Sequence, residues 1–259
     1  MTISQISSRI QGRYQRTVSD LLFRRIAEMR NDVPYISFSF DDFPRSAAHI
    51  GGAILRGAGV RATYYASFGL MGKHAETGVI FTPRDIRELL EQGNELGCHT
   101  FAHSHAWQTS PESFEDSIIR NKLALEEVAP GAAFTSFSYP ISVPRARTKR
   151  IAGEYFYGCR CGGQTYNARR LDLNLLKAFF IEKSRNDLSA IKALIDENSR
   201  QRGCLIFATH DISESPTPYG CTPSTFKDIL DYSLGSGARV LPVREALNVI
   251  CGGKDYRDL

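Results

Sequence analysis

The chain has 259 residues, enough for one large domain or two small ones, and 42% hydrophobic with 23% charged residues are ordinary globular proportions. Those values exclude long disorder and a disulfide-dense miniprotein, and no run of eighteen apolar residues offers a transmembrane helix. The net charge is +4, and residues 1–30 alone carry +4, from six arginines (Arg9, Arg13, Arg16, Arg24, Arg25, Arg30) against Asp20 and Glu28. The rest of the chain is neutral, which argues against a nucleic-acid binder.

Residues 1–32 read as an arginine-rich helical extension. Arginine interrupts it throughout, so it lacks the apolar core of a signal peptide, and cytoplasmic residence is the expectation. Its plain reading is a solvated or subunit-packing helix; the alternatives are contact with an anionic membrane surface or a homo-oligomer through residues 1–30. Residues 33–259 contain nothing like a linker and read as one domain. Its predicted strands are Tyr35–Phe40, Ala62–Phe68, Glu95–Cys98, Phe134–Tyr139, Ala178–Ile181, Cys204–Thr209 and Arg239–Leu241. Thr82-Pro83, Ser110-Pro111 and Thr222-Pro223 each place an N-cap hydroxyl before a helix-starting proline, and the helices run to about Gly93, Ala129 and Gly235. Strands alternating with helices predict an α/β fold with a parallel sheet, and about seven such units predict a closed or nearly closed (β/α)-barrel.

The six cysteines (98, 159, 161, 204, 221, 251) form no CxxC pair and no zinc-finger spacing, so they are expected to be reduced. Cys98 and Cys204 read as small core residues. Cys159 and Cys161 would share one face of a strand, where burial is the plain reading and a metal role the alternative.

In such barrels chemistry gathers where the chain leaves the carboxyl ends of the strands. Asp41-Asp42 follow ISFSF, His99 follows ELGC with His103 four residues on, and His210-Asp211 follow LIFAT. The i, i+4 spacing would bring His99 and His103 onto one face of a helical turn. Two His and one carboxylate around an open fourth position form a catalytic zinc arrangement, in which the metal lowers the pKa of its water toward about 7 and polarises a carbonyl. One aspartate can be a ligand while its neighbour takes the proton from that water, and His210 can protonate the leaving group. Those are the parts for metal-assisted hydrolysis of an amide or ester. The bland alternatives are a structural histidine and an aspartate pair that merely caps a helix. His105 is expected to contact substrate or to back the ligands, His49 and His74 read as surface residues, and Tyr219-Gly220-Cys221 either line the site beyond His210 or form a turn.

The motifs resemble those of a known family. Ser39-Phe40-Asp41-Asp42 is similar to the TFDD motif of the polysaccharide deacetylases (carbohydrate esterase family 4, the NodB-like homology domain). His99-Thr100-Phe101-Ala102-His103 matches their H-[S/T]-x-x-H motif without a gap, and Phe207-Ala208-Thr209-His210-Asp211 resembles their late L-x-H motif. Order and spacing agree over residues 33–250. The resemblance implies a distorted (β/α)-barrel as the catalytic domain and one divalent metal ion, usually Zn²⁺. It also implies Asp42, His99 and His103 as ligands, Asp41 as general base and His210 as general acid. An oxyanion site would lie at Tyr139, Pro140 and Ile141, where a backbone N–H helps to hold developing charge.

This chain also departs from the pattern. Ser138 stands where the family often has an arginine, and Trp107, the only tryptophan, belongs to no Asp-Trp motif. Arg160 and Lys177 are the candidates for the missing positive charge, and Asp211 or Asp172 for the carboxylate behind His210. Phe43-Pro44 replaces a common glycine and is expected to reshape the substrate entrance. The function this reading supports is a metal-dependent deacetylase of an acetylated sugar, a hydrolase of non-peptide C–N bonds. A polysaccharide or a nucleotide- or lipid-linked glycan precursor would be its partner, and nucleic acid would not. The alternatives are an amidohydrolase of a small non-sugar amide and a carbohydrate-binding barrel with weakened catalysis. Residues 1–30 are expected to be dispensable for the chemistry but not for assembly or localisation.

Overall fold

The computed structural model describes residues 3–184 and 187–252, so residues 1–2, 185–186 and 253–259 of the two expected parts lie outside the described residues. In chain order the elements are α1 (Ile3–Leu21), β1 (Ile26–Glu28), β2 (Tyr35–Phe40), α2 (Gly52–Gly57), β3 (Thr63–Ala66), β4 (His74–Ala75), β5 (Gly78–Val79), α3 (Pro83–Glu91), β6 (Glu95–Cys98) and α4 (Pro111–Val128). They continue with β7 (Ser136–Ser138), α5 (Ala146–Tyr155), β8 (Gly158–Cys161), β9 (Arg170–Asp172), β10 (Leu176–Lys177), β11 (Phe179–Phe180), α6 (Leu188–Arg200), β12 (Cys204–Thr209), α7 (Pro223–Gly235), β13 (Arg239–Val240) and α8 (Val243–Ile250). Thr82, Ser110 and Thr222 each accept a bond from a backbone N–H of the first turn that follows, as the Thr/Ser-Pro signals predict.

The main sheet runs in the order β10-β8-β7-β6-β3-β2-β12-β11, with every neighbouring pair parallel. Its two ends, β10 and β11, are successive pieces of one extended run. Leu176 and Lys177 pair with Arg160 and Cys161 of β8, whereas Phe179 and Phe180 pair with Phe207 and Ala208 of β12. A single stave therefore changes partner at Ala178 and closes a ring of seven staves, the expected α/β barrel. Its distortion lies at β2. One side of that strand pairs with β12 throughout, while β3 joins the upper part of the other side and β13 the lower part.

Packing follows from strand alternation. All six residues of β2 and of β12 are buried, as expected of strands covered on both faces. Phe38 and Phe40 meet Phe226 of α7 at ring-centroid separations of 5.4 and 5.6 Å, and each such ring contributes about 1.5–3 kcal/mol by leaving water. The opposite face is polar. Glu95 accepts hydrogen bonds from Thr63 Oγ1 (2.8 Å), Thr135 Oγ1 (2.8 Å), Ser136 Oγ (2.5 Å) and the Arg244 backbone (2.8 Å). Tyr65 lies next in this column, and its ring fits because residue 97 is glycine: a Cβ there would collide with it. Above Tyr65 stands the Arg160 guanidinium, 5.0 Å from the ring centroid.

Residues 19–30 are built into this body. Buried Ser19 Oγ donates to the Pro144 carbonyl, and its own carbonyl accepts from buried Lys149 Nζ at 2.7 Å. Arg25 donates to the carbonyls of Gly153 (2.9 Å), Phe156 (2.8 Å) and Tyr157 (2.5 Å), which tie down the end of α5. β1 pairs antiparallel with β9. These contacts make residues 19–30 part of the barrel's own packing, which bears on the expectation that a chain beginning at Asn31 keeps its metal and its turnover. Arg25→Ala leaves carbonyls without their donor, at about 1–3 kcal/mol for each unsatisfied group. Its unfolding midpoint is expected to fall by several degrees, since about 2–4 °C accompanies each kcal/mol at this size. A thermal melt showing no change would mean that the segment is not part of the cooperative unit.

Candidate active site

The Asp41-Asp42 turn leaves β2 with left-handed backbone at Asp42 (φ 58°) and Phe43 (φ 54°). Phe43 is fully buried between the rings of Tyr64 and Phe81, at 4.9 and 5.1 Å. It anchors the turn from below and does not shape the entrance, contrary to the expectation for Phe43-Pro44. Asp42 Oδ2 accepts from Thr77 Oγ1 at 3.1 Å, while its Oδ1 is buried and accepts no hydrogen bond. His103 Nε2 lies 3.2 Å from that oxygen and His99 Nε2 lies 3.7 Å from it.

His99 follows β6 and is 2% exposed. Its Nδ1–H donates to the Ser138 carbonyl at 2.8 Å, which turns the Nε2 lone pair toward Asp42. Burial holds its pKa down at about 4, against the raising effect of Asp41 and Asp42, so the ring is the neutral form that binds a cation. The i, i+4 spacing does bring the two imidazoles together, with ring centroids 5.0 Å apart. The reason is not a helical turn. Residues 99–105 form an irregular loop with left-handed Thr100 and His103 (φ 58° and 51°). Ser117 fixes this loop by accepting from the Phe101 and Ala102 backbones. Gly69 abuts it, and a Cβ at residue 69 would collide with the Phe101 carbonyl. Among the described residues, Asp42, His99 and His103 are the one group with metal-type ligand atoms, all within 4.8 Å of one another.

Asp41 serves a different neighbourhood. Arg160 Nη2 donates to its Oδ1 and, at 2.6 Å, to Ser138 Oγ. Both partners are buried, at 1% and 5% side-chain exposure. Burial alone would raise the Asp41 pKa; the Arg160 charge, with help from His99 and His210, outweighs it and holds the carboxyl at about 2. Of the two candidate cations, Arg160 is the one at the site. Lys177 Nζ instead pairs with Asp20 at 2.6 Å. Cys159 and Cys161 flank Arg160 on β8 and pack into the apolar core, with burial pushing the Cys159 thiol up to about 12. They are core residues, not ligands.

His210 leaves β12 half-buried, its ring stacked near Phe180 and its Nδ1–H directed at the Tyr219 carbonyl, 3.2 Å away. Neither expected carboxylate reaches it. Asp211 accepts from the Thr217 backbone and hydroxyl (2.9 and 2.5 Å), closing the 211–217 loop. Asp172 is held by Lys149 at 2.6 Å and by the Arg25 backbone. Glu182, which the sequence reading missed, is the carboxyl nearest in topology. Two residues beyond the Phe180↔Ala208 pair stand Glu182 on one chain and His210 on the other. Its Oε2 is buried without a hydrogen-bond partner, and burial pushes its pKa up to about 7 against the opposing charge of His210. The register between β11 and β12 was the signal that could have found it.

That position fixes a sign. An acid with a folded pKa near 7 and an ordinary value of 4.5 is stabilising below the lower value, and its contribution is lost as pH rises through the higher one. Glu182→Gln cannot ionise. Its melting temperature is expected to match wild type near about pH 5 and to exceed it above about pH 8. Parallel curves across that range would place Glu182 in water.

The remaining expectations divide. Tyr139 gives its backbone N–H to the Arg160 carbonyl (2.9 Å) and its hydroxyl to the Asn174 carbonyl (3.1 Å), so it is structural. Pro140 has no N–H. Ile141, 65% exposed and held at φ 68°, carries the amide that remains at this loop, and a β-branched residue in that conformation is strained by about 1–3 kcal/mol. His105 Nδ1 accepts from the backbones of Trp107 (3.2 Å) and Gln108 (3.3 Å) and so anchors a turn. His49 is a surface residue paired with Asp85, and His74 is exposed. Tyr219 does line the site, its ring centroid 5.6 Å from that of His210.

A parallel seven-stave barrel with an Asp-His-His cluster at its carboxyl rim defines the architecture. The polysaccharide deacetylase family model matches residues 28–158, and the chain belongs to that family. No curated relative matches the chain. Among solved structures, the chitin deacetylase from the fungal pathogen Colletotrichum lindemuthianum is 17% identical, with a TM-score of 0.61 over 85% of this chain and 89% of that one. A family 4 acetyl xylan esterase from Clostridium thermocellum, in complex with a cobalt ion, is 18% identical (TM-score 0.54; 83% and 91% covered). A family 4 pseudoenzyme from Bacillus anthracis is 12% identical (TM-score 0.57; 84% and 66% covered). At these identities the likeness establishes the fold alone.

Proposed function

We propose that this protein removes an acetyl group from an acetylated sugar, with Asp41 as base and His210 as acid, and that it does so in the cytoplasm. The observation that carries the reading is the division of labour between adjacent aspartates. Asp42 presents an unpartnered buried oxygen to two imidazoles, whereas Asp41 is held anionic by Arg160. The residues fit a divalent ion, most simply Zn²⁺: one orphaned carboxylate oxygen and two Nε2 atoms, one of them on a ring kept neutral by burial. Bound there, such an ion would lower the pKa of a water at its open position and polarise the acetyl carbonyl. Asp41 takes the proton from the attacking water, and the Arg160 contact keeps it deprotonated until then. The Ile141 amide offers a donor for the charge that develops on the carbonyl oxygen. His210 delivers a proton to the departing sugar nitrogen or oxygen, with the Glu182 carboxyl just past the adjoining strand as the acidic group of that edge. A groove of about 680 Å³ lined by Arg45, Thr77, Asp211 and Thr217 runs beside Asp42 and suits the hydroxyls of a sugar.

The test is acetate release from acetylated nucleotide sugars and oligosaccharides by metal-replete protein, with His210→Ala compared on an N-acetyl sugar and on an aryl acetate. An aryloxide leaves without a proton, so the variant is expected to lose about 10²–10⁴-fold on the sugar and far less on the ester. Equal losses would assign His210 a binding or structural role. Ammonia or a ring-opened acid from a small amide would favour an amidohydrolase, and tight sugar binding without acetate release a non-catalytic barrel.

A further inference from the structure

We propose that α1 and the turn after it form a docking surface for an anionic membrane, set beside the mouth of the site. The observation is a largely exposed apolar stripe, which the fold touches only at Tyr14, by Trp107, and at Phe23, by Arg150. Ile10, Tyr14 and Leu21 recur at helical spacing and are 63%, 63% and 64% exposed, and Leu22 and Phe23 continue the stripe at 46% each. Three consecutive exposed large apolar residues on a protein surface are a liability unless something covers them. Arg13 and Arg16 flank the stripe and Arg24 ends it, all exposed, in a segment, residues 1–30, whose +4 equals the net charge of the whole chain. Nearby acids are already engaged: Asp20 by Lys177 and Glu154 by Arg150. A helix with an outward apolar stripe and uncompensated arginines is the pattern that lies in a lipid headgroup layer. No helix among the described residues is long and apolar enough to cross a membrane, so the surface would lie on the bilayer and not span it.

Charge separates this occupant from a second copy of the chain. A two-fold contact through the same stripe would bring Arg13, Arg16 and Arg24 against their own counterparts, whereas anionic headgroups complement them. Position gives the surface its use. Tyr14 meets the edge of Trp107 (centroids 6.3 Å), and Ser19 bonds the Pro144 carbonyl, so α1 packs against the loops that follow β6 and β7. Those loops carry His103 and Ile141. A surface bound here would hold the catalytic rim close to the headgroup layer.

The experiment is co-sedimentation of the full chain with phosphatidylglycerol-containing vesicles and with pure phosphatidylcholine vesicles. Binding is expected only to the anionic vesicles and should weaken at high salt. Each arginine near such a surface accounts for about fivefold in partition, so Arg13→Gln with Arg16→Gln is expected to weaken binding about 25-fold. Leu21→Ser with Leu22→Ser is expected to abolish what survives high salt. Melting temperatures should stay at the wild-type value, because all four side chains are exposed. Absence of vesicle binding, equal binding to both lipids, or indifference to the arginine pair would overturn the proposal. A concentration-dependent dimer in sedimentation velocity, broken by the leucine pair and accompanied by no vesicle binding, would assign the stripe to a second copy.

Discussion

Arg160→Met is expected to cost both turnover and stability. In the folded protein Asp41 is anionic at every pH above about 2, so its contribution to stability is present above the ordinary value of 3.8 and disappears as pH falls toward about 2. Without the guanidinium, burial is left as the dominant influence, and it favours the protonated carboxyl. The base is then more readily protonated, and full loss of general-base assistance is worth about 10²–10⁴-fold in rate. Breaking a buried pair by removing one partner costs about 3–5 kcal/mol, so the melting temperature should fall as well. The diagnostic is the acidic limb of the pH–rate profile, which should move to higher pH. Arg160→Lys keeps the charge but loses the planar fork, and is expected to recover part of the rate. An acidic limb that stays in place in Arg160→Met would remove Asp41 from the role of base.

The second large effect concerns the cluster at Asp42. His99→Ala should abolish metal retention after dialysis, read by elemental analysis, and turnover with it, because a three-ligand site loses one of its anchors. The loss should exceed that of His103→Ala. His99 is fixed from behind by the Ser138 carbonyl and is 2% exposed, whereas the His103 side chain is 27% exposed and faces solvent. Hydrogen-bonded support of this kind typically changes metal affinity about 10–100-fold. Full occupancy in a protein lacking both imidazoles would sink the assignment.

The long strands and the rim residues were legible in the sequence because their signals are local. YISFSF, ELGC and CLIFAT match their observed strands residue for residue, and each ends on the chemistry it delivers. What escaped was short or depended on pairing. β8 is Gly-Cys-Arg-Cys, with no β-branched residue to announce a strand, yet it places Arg160 against Asp41. The column from Glu95 through Tyr65 to Arg160 is invisible to a rule that expects apolar parallel strands, because its polar groups satisfy one another only after the ring has closed. Asp211 was the natural partner for His210 by adjacency, but successive side chains leaving a strand point apart, and its carboxylate turned to Thr217.

The stave that closes the ring has a mechanical meaning. β2 and β12 are zipped by six residue pairs, whereas the 176–180 run holds β8 by two and β12 by two. The β6–β7 joint has a single pair and β2–β3 has two, so the closing stave is one of several thin joints at which the cylinder can open locally before the β2–β12 ladder yields. The closing stave carries Phe180, stacked on the imidazole of His210, and leads straight into Glu182. Base and acid leave the two strands of that six-pair ladder side by side, so their spacing is set by the most firmly zipped part of the wall, and local opening at the closing stave would reach the Phe180 ring against His210 before it parted the two catalytic side chains.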